Sequence, residues 1–95
     1  MPHPFVAMSL ELRLPFLVRM ASIGRRVSKL QQTRVRIAFE KMKHLVPLNI
    51  LCQSCGRMPA TERHHIRPIC FGGGNTLDNL VAICEDCHRR IHPWM

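Results

Sequence analysis

The sequence predicts a small α+β domain, held together by its cysteines and histidines and preceded by a basic helical arm. Three observations predict this class. A chain of 95 residues allows one small domain. All five cysteines and four of the six histidines follow Pro47. A core of this size usually needs a metal or disulfides for stability, so these residues are the candidates for that role.

The charge is concentrated in the first half of the chain. The formal net charge is +8, of which residues 1–50 carry +7 and residues 51–95 carry +1. This imbalance favours a polyanionic partner. No uncharged apolar run reaches ~18 residues, so no membrane partner is expected. We therefore divide the chain into a basic, partly helical arm at 1–47 and a Cys/His module at 48–95.

The start of the arm, residues 1–23, shows no clear helical pattern. Pro2, Pro4 and Pro15 interrupt any long helix, which leaves a loosely ordered arm or a short packing segment. Charges interrupt the apolar stretches, unlike those of a secretory signal. The arginine and serine content faintly resembles an organelle transit peptide. Reduced cysteines favour an intracellular protein, cytoplasmic in a bacterial or phage-infected host.

Residues 28–46 are predicted to form a helix. Ser28 is a suitable N-cap, and Pro47 ends the helix. The apolar residues that share one face of a 3.6-residue period are Val35, Ala38, Phe39, Met42, Leu45 and Val46. The basic residues mostly off this stripe are Arg34, Arg36, Lys41 and Lys43. They either contact phosphates or form a solvated face.

Two C-x2-C pairs, Cys52/Cys55 and Cys84/Cys87, predict a zinc site. Each pair lets two thiolates reach one ion from a tight turn, and two such turns complete a tetrahedral site. With no open coordination position, the zinc would be structural. The alternative is two disulfides in a secreted protein. Cys70 stands apart, and we expect it to be a buried free thiol.

The module contains four histidines, two before the glycine turn and two near its end. His88 and His92 are four residues apart on a predicted short helix, so both imidazoles can reach one metal. If 61–66 is extended, His64 and His65 point to opposite faces. The inward one would complete a three-histidine site with open positions, and the outward one is free to handle protons. Residues 72–74, three glycines, are expected to form a flexible hairpin loop.

The order of these elements is more specific than any one of them. The chain reads C-x2-C, E-x-H-H-I-x-P, a glycine turn, D-N-L and C-x2-C-H-x3-H. Over residues 50–93 this resembles the HNH endonuclease family in its zinc-bearing form. It is similar to nucleases of phages and mobile elements and to the nuclease domain of DNase colicins, which lack the four cysteines. The resemblance implies a ββα-metal, treble-clef-like module, a β-hairpin followed by a helix clamped around an ion.

The resemblance also implies roles for individual residues. His65 would be the general base, with a backbone carbonyl fixing its tautomer. Asn79 would pin the loop that faces His65, and Glu62 would steady the metal-binding end of the site. His88 matches the last histidine of the family name. The ligands of a divalent ion (Mg2+, Mn2+, Ni2+ or Zn2+) would be His64, His88 and His92, and the module's candidate phosphate contacts are Arg63, Arg67, Arg89 and Arg90.

The function implied is metal-dependent hydrolysis of DNA phosphodiesters, most naturally in double-stranded DNA. Two other classes stay open. A noncatalytic zinc-binding module would bind nucleic acid or protein without cleavage, and a degenerate nuclease fragment would have lost its activity. Sequence preference, nicking against double-strand cleavage, and assembly as a homodimer or within a larger phage or mobile-element protein are left open.

Overall fold

A computed structural model describes Phe5 and residues 7–92. Its helices are α1 (Leu10–Met20), α2 (Lys29–Met42) and α3 (Glu85–Ile91), and its strands are β1 (Glu62–His65) and β2 (Leu80–Ile83). Short 3₁₀ turns lie at Lys43–Leu45, Ile69–Phe71 and Leu77–Asn79. Among these described residues, no helix has the length and apolar composition that crossing a bilayer requires. Pro2 and Pro4, which the sequence marked as interruptions, lie outside the described residues.

The centre of the module is an antiparallel hairpin followed by a helix. β1 pairs with β2 in a register that places His64 opposite Val81 and His65 opposite Leu80. Every residue of β2 is buried, because helices and turns cover both of its faces. α3 follows β2 directly and contacts β1. The predicted α+β class, with a hairpin and then a short helix, is confirmed.

Helix α2 largely follows the sequence prediction. The Ser28 hydroxyl accepts a 3.2 Å hydrogen bond from the Gln31 backbone N–H, which is the expected N-cap. The last turn is 3₁₀ instead of α-helical. Phe39, Met42 and Val46 pack with Leu80 and Ala82 in one core cluster.

Two members of the predicted apolar stripe are exposed. Leu45 is 56% exposed, because the tighter 3₁₀ turn rotates it away from the core. Ala38 lies at the edge of the stripe and faces solvent. The stripe was therefore predicted too wide.

Helix α1 contradicts the expectation that Pro15 interrupts the helical pattern. Pro15 removes one intrahelical hydrogen bond and its ring crowds the preceding turn, yet α1 continues to Met20. Leu17 is fully buried and shares a core cluster with Phe5, Ile83 and Ile91. Of the two alternatives, this part of the arm is a packing segment. The division of the chain at residue 47 stays a prediction.

Candidate functional site

The four paired cysteines converge on one point. Their Sγ atoms all lie within 4.8 Å of one another, and three of the four residues are buried. Cys52 and Cys55 come from the turn before β1, whereas Cys84 and Cys87 open α3. The Cys55 and Cys84 sulfurs are 3.9 Å apart, close to the ~3.8 Å edge of a tetrahedron with ~2.3 Å Zn–S bonds.

The surroundings of these sulfurs suit thiolate ligands. The N–H groups of Ser54 and Cys55 donate to the Cys52 Sγ, and the Cys87 N–H donates to the Cys84 Sγ. Burial raises the pKa of Cys55, but backbone hydrogen bonds and the neighbouring thiols outweigh it and lower that pKa to about 7. Burial raises the pKa of Cys84 and Cys87, a cost that a bound cation would offset. The cluster is suitable for zinc, and its four cysteines are free thiols in this structure.

Three histidines form a second cluster, to which α3 contributes near its C-terminal end. His64 comes from β1, His88 from α3, and His92 caps the C-terminal end of α3. Their ligand nitrogens all lie within 4.8 Å of one another. The ring centroids of His64 and His92 are 5.4 Å apart, and those of His88 and His92 are 5.2 Å apart. The predicted convergence of these three side chains is therefore present.

The environment of His64 fits a metal ligand. The side chain is 6% exposed, and its Nε2 has no hydrogen-bond partner among the described residues. Such a buried polar atom is costly unless something satisfies it. Burial, followed by His92 and His88, lowers the pKa of His64 to about 3. It is therefore neutral near pH 7, as a metal ligand must be, and the cluster fits a divalent ion with open positions for other ligands.

His65 points to the opposite side of β1. Its ring packs against the edge of Phe39 at a centroid distance of 4.8 Å, and its Nε2 is 2.8 Å from the Asn75 Oδ1. Asn75 in turn donates from Nδ2 to the Val35 carbonyl oxygen at 2.8 Å. Burial lowers the pKa of His65, although the Asn75 hydrogen bond opposes this.

The partner of His65 differs from the sequence expectation. The resemblance implied a backbone carbonyl as acceptor, whereas the structure places the Asn75 side chain there. Asn75 was missed because an asparagine after three glycines is typical of a turn. The signal in the sequence is weak, since Asn75 is one of two amides, with Asn79, in the loop that connects β1 to β2.

Asn79 fastens the two ends of this connecting loop. Its Oδ1 accepts from the Arg67 N–H at 2.8 Å, and its Nδ2 donates to the carbonyl oxygens of Gly74 at 2.9 Å and Arg67 at 3.2 Å. Its own carbonyl accepts from the Ile66 N–H at 2.8 Å. These contacts are what the predicted loop-pinning role requires.

The three glycines of the loop differ from one another in backbone conformation and in surroundings. Of the three, only Gly72 has a positive φ, 87°. Gly73 lies where the chain approaches itself, because an added Cβ would overlap the Arg67 carbonyl oxygen. The Gly73 N–H also donates to the Pro68 carbonyl at 2.9 Å. The backbone is therefore closely tied at Gly73, and the flexibility expected of this loop stays a prediction.

A cavity of about 250 Å³ opens beside β1 and is lined by side chains from both faces of the strand. Its polar lining comes from His64, His65, His92, Arg36 and Arg63. Arg63 Nε donates to the Val46 carbonyl oxygen at 2.8 Å, which holds that side chain against the end of the arm. Arg36, supplied by α2, is exposed. Two cations therefore share a cavity with the histidines.

Cys70 lines the same cavity and is half-buried, so the expectation of a buried thiol is corrected. The connecting loop brings it there through the 3₁₀ turn at Ile69–Phe71. It lies outside both metal-ligand clusters of the described residues.

The other predicted site residues are not among those that line this cavity. Arg89 and Arg90 pair with Glu85 and Asp86 along α3. Glu62 is exposed at the start of β1 and is not a member of the histidine cluster. The remaining candidates are Arg34, Lys41 and Arg67, which are exposed, and Lys43, which pairs with Glu40. Their roles, and that of Glu62, stay predictions.

Comparisons with known proteins agree with this geometry. Residues 52–93 match the HNH endonuclease family. The chain is also similar to the type IV methyl-directed restriction enzyme EcoKMcrA of Escherichia coli (strain K12), at 36% identity over 75 residues. That similarity covers 70% of this chain and 27% of the relative, so the chain spans about a quarter of the relative's length. No solved structure gives a significant match. Through residues 52–93, the chain belongs to the HNH endonuclease family.

Proposed function

We propose that this protein is a metal-dependent endonuclease that hydrolyses phosphodiester bonds in DNA. The observation that carries the proposal is the division of two adjacent histidines. His64 turns a buried, unpartnered nitrogen toward His88 and His92, whereas His65 lies on the opposite face, hydrogen-bonded to Asn75. The first arrangement suits a metal ligand, and the second suits a group that moves protons.

Phosphodiester hydrolysis needs an activated water, relief of charge on the phosphate and help for the departing oxygen. A divalent ion held by His64, His88 and His92 would supply Lewis-acid stabilisation of the phosphate and the leaving oxygen. His65 is the general base that takes a proton from the attacking water. Its lowered pKa keeps it neutral near pH 7, and general-base catalysis contributes typically 10²–10⁴-fold to the rate.

Arg36 and Arg63 are the proposed contacts to the scissile phosphate. Both line the histidine cavity, and a guanidinium matches phosphate geometry better than an ammonium does. The +7 charge of residues 1–50 adds sequence-independent attraction to double-stranded DNA. The four cysteines hold a structural zinc ion. An intracellular setting agrees with thiols kept reduced.

The noncatalytic alternative explains the cysteine cluster and the basic arm. It does not explain why the Nε2 atom of His64 is buried without a hydrogen-bond partner among the described residues. It also leaves unexplained why the side chain beside it is held in place by Asn75. A test of DNA cleavage therefore distinguishes the endonuclease from the noncatalytic binding module.

The test is cleavage of supercoiled plasmid by zinc-loaded protein. We expect nicking that requires added Mg2+, Mn2+ or Ni2+ and falls by about 10²–10⁴-fold in His65→Ala. His44→Ala is the matched control, because His44 is exposed in the 3₁₀ turn after α2, outside the described histidine cluster. A folded, zinc-loaded wild type that shifts DNA but cleaves none with any ion would overturn the proposal and leave the binding module.

A further inference from the structure

We infer that Asn75 is a positioning residue that sets the tautomer of His65, and that helix α2 holds Asn75 in place. The inference rests on the proposed function for its catalytic meaning. Its structural basis is a chain of two hydrogen bonds. His65 Nε2 lies 2.8 Å from Asn75 Oδ1, and Asn75 Nδ2 lies 2.8 Å from the Val35 carbonyl oxygen.

The direction of this chain follows from donor and acceptor chemistry. A backbone carbonyl can only accept, so the Asn75 NH₂ group must face Val35. The amide oxygen then faces His65, and it too can only accept. His65 must therefore carry its proton on Nε2. In the neutral ring Nδ1 is then the lone-pair nitrogen, and it is the one able to take a proton from water.

One face of helix α2 contacts both Asn75 and His65. Val35 and Phe39 are four residues apart and thus share a face of the helix. The Val35 carbonyl anchors the amide, while the Phe39 ring packs edge-on against His65.

The helix itself is tied to the loop that carries Asn75. The Val27 N–H donates to the Cys70 carbonyl oxygen at 2.9 Å, and Gln32 Nε2 donates to the Val27 carbonyl oxygen at 3.0 Å. α2 also contacts the 3₁₀ turn at Ile69–Phe71. Part of the support of His65 therefore comes from residues before the segment that matches the family.

Two substitutions of Asn75 separate positioning from simple loop support. Asn75→Leu has a similar size and removes both hydrogen bonds. Asn75→Asp keeps an acceptor for His65 Nε2 and loses the donor to Val35. Thr76→Ala is the control, because Thr76 is exposed and its side chain makes no capping hydrogen bond. Thermal unfolding of each zinc-loaded protein establishes that it is folded.

The first readout is the His65 tautomer, measured from imidazole ¹⁵N chemical shifts of the full-length, zinc-loaded chain at pH 7. We expect the Nε2–H form in the wild type, in Thr76→Ala and in Asn75→Asp. Asn75→Leu should show both tautomers. The second readout is plasmid cleavage, where Asn75→Leu should lower kcat by roughly 10- to 100-fold, less than loss of the base itself. KM should stay within about twofold, and Asn75→Asp should recover part of kcat.

The outcomes distinguish this inference from the proposed function. An inactive wild type removes the proposed function, whereas the tautomer shift in Asn75→Leu still supports the role of Asn75. An active wild type with an unchanged tautomer and an unchanged kcat in Asn75→Leu overturns the inference alone. A fall in kcat that Asn75→Asp does not relieve, with the tautomer unchanged, also overturns it, because only the loop would then be affected.

Discussion

His64 and His65 are neighbours in the chain, yet their rings lie on opposite faces of β1. The His64 ring centroid is 5.4 Å from that of His92, and the His65 ring centroid is 4.8 Å from that of Phe39. Alternation along a strand produces this separation without any turn or bulge. Two imidazoles can thus serve one cavity from different environments, one buried among ligands and one hydrogen-bonded to an amide.

Loss of one zinc ligand should unfold the protein. The free energy of structural zinc binding, about 10–16 kcal/mol, is comparable to the whole stability of a domain, ~5–15 kcal/mol. We expect Cys84→Ser to lose its zinc and its cooperative thermal transition, measured by metal analysis and circular dichroism. Cys70→Ser is the control, since Cys70 is outside the described cysteine cluster. A Cys84→Ser protein that melts like the wild type would contradict a structural zinc.

Gly73 should tolerate no side chain. An added Cβ would overlap the Arg67 carbonyl oxygen, which is backbone and cannot turn aside. We expect Gly73→Ala to cost about 1–3 kcal/mol, which lowers Tm by roughly 4–8 °C per kcal/mol. At Gly74 an added Cβ meets nothing within 4 Å, so Gly74→Ala should leave Tm nearly unchanged. Equal melting of the two variants would show that the loop is not closed as described.

The rate of DNA cleavage should fall on the acid side of neutrality. Burial lowers the pKa of His65 below its ordinary value of 6.5, against the opposing Asn75 hydrogen bond. The neutral base is therefore fully present above pH 6.5 and is lost as the pH falls through the lowered pKa. We expect kcat/KM to be flat near pH 7–8 and then to fall about tenfold per pH unit. The metal ion must be saturating at every pH, and an acid limb centred above pH 6.5 would contradict the assignment.

The affinity for DNA should fall as the salt concentration rises, because basic residues of the arm contact phosphates. Each neutralised phosphate contributes about −0.9 to the slope of log K against log salt. We expect Arg34→Gln and Lys41→Gln, both on exposed positions of α2, to flatten the slope by about 0.9 each. Arg57→Gln is the control, since Arg57 is exposed in the turn before β1 and is not among the candidate phosphate contacts. A slope that Arg34→Gln and Lys41→Gln leave unchanged would contradict a contact between the arm and DNA.

Local signals were enough to predict much of this fold. The Ser28 cap, the cysteine pairs and the alternation at His64 and His65 depend on residues within a few positions of each other. Helix α1 was missed because its stability comes from tertiary packing. Leu17 is buried against residues far away in the chain, and this outweighs the cost of Pro15.

The same distinction holds in the candidate site. Histidine spacing predicted that His88 and His92 meet, and the family resemblance added His64 as their third partner. Asn75 was missed because its two hydrogen bonds join β1, a loop and α2, and the Val35 partner is 40 residues away. A backbone carbonyl leaves no residue-specific mark in a sequence, so this contact becomes visible only in three dimensions.

The division of labour between His64 and His65 is tested most directly by metal binding and cleavage measured on the same two variants. A divalent ion is titrated into zinc-loaded His64→Ala and His65→Ala, and single-turnover plasmid cleavage is followed at saturating ion. We predict that His65→Ala binds the added ion as the wild type does and cleaves about 10²–10⁴-fold more slowly, whereas His64→Ala loses affinity for the ion. Wild-type cleavage by His65→Ala, or wild-type ion affinity in His64→Ala, would contradict the account.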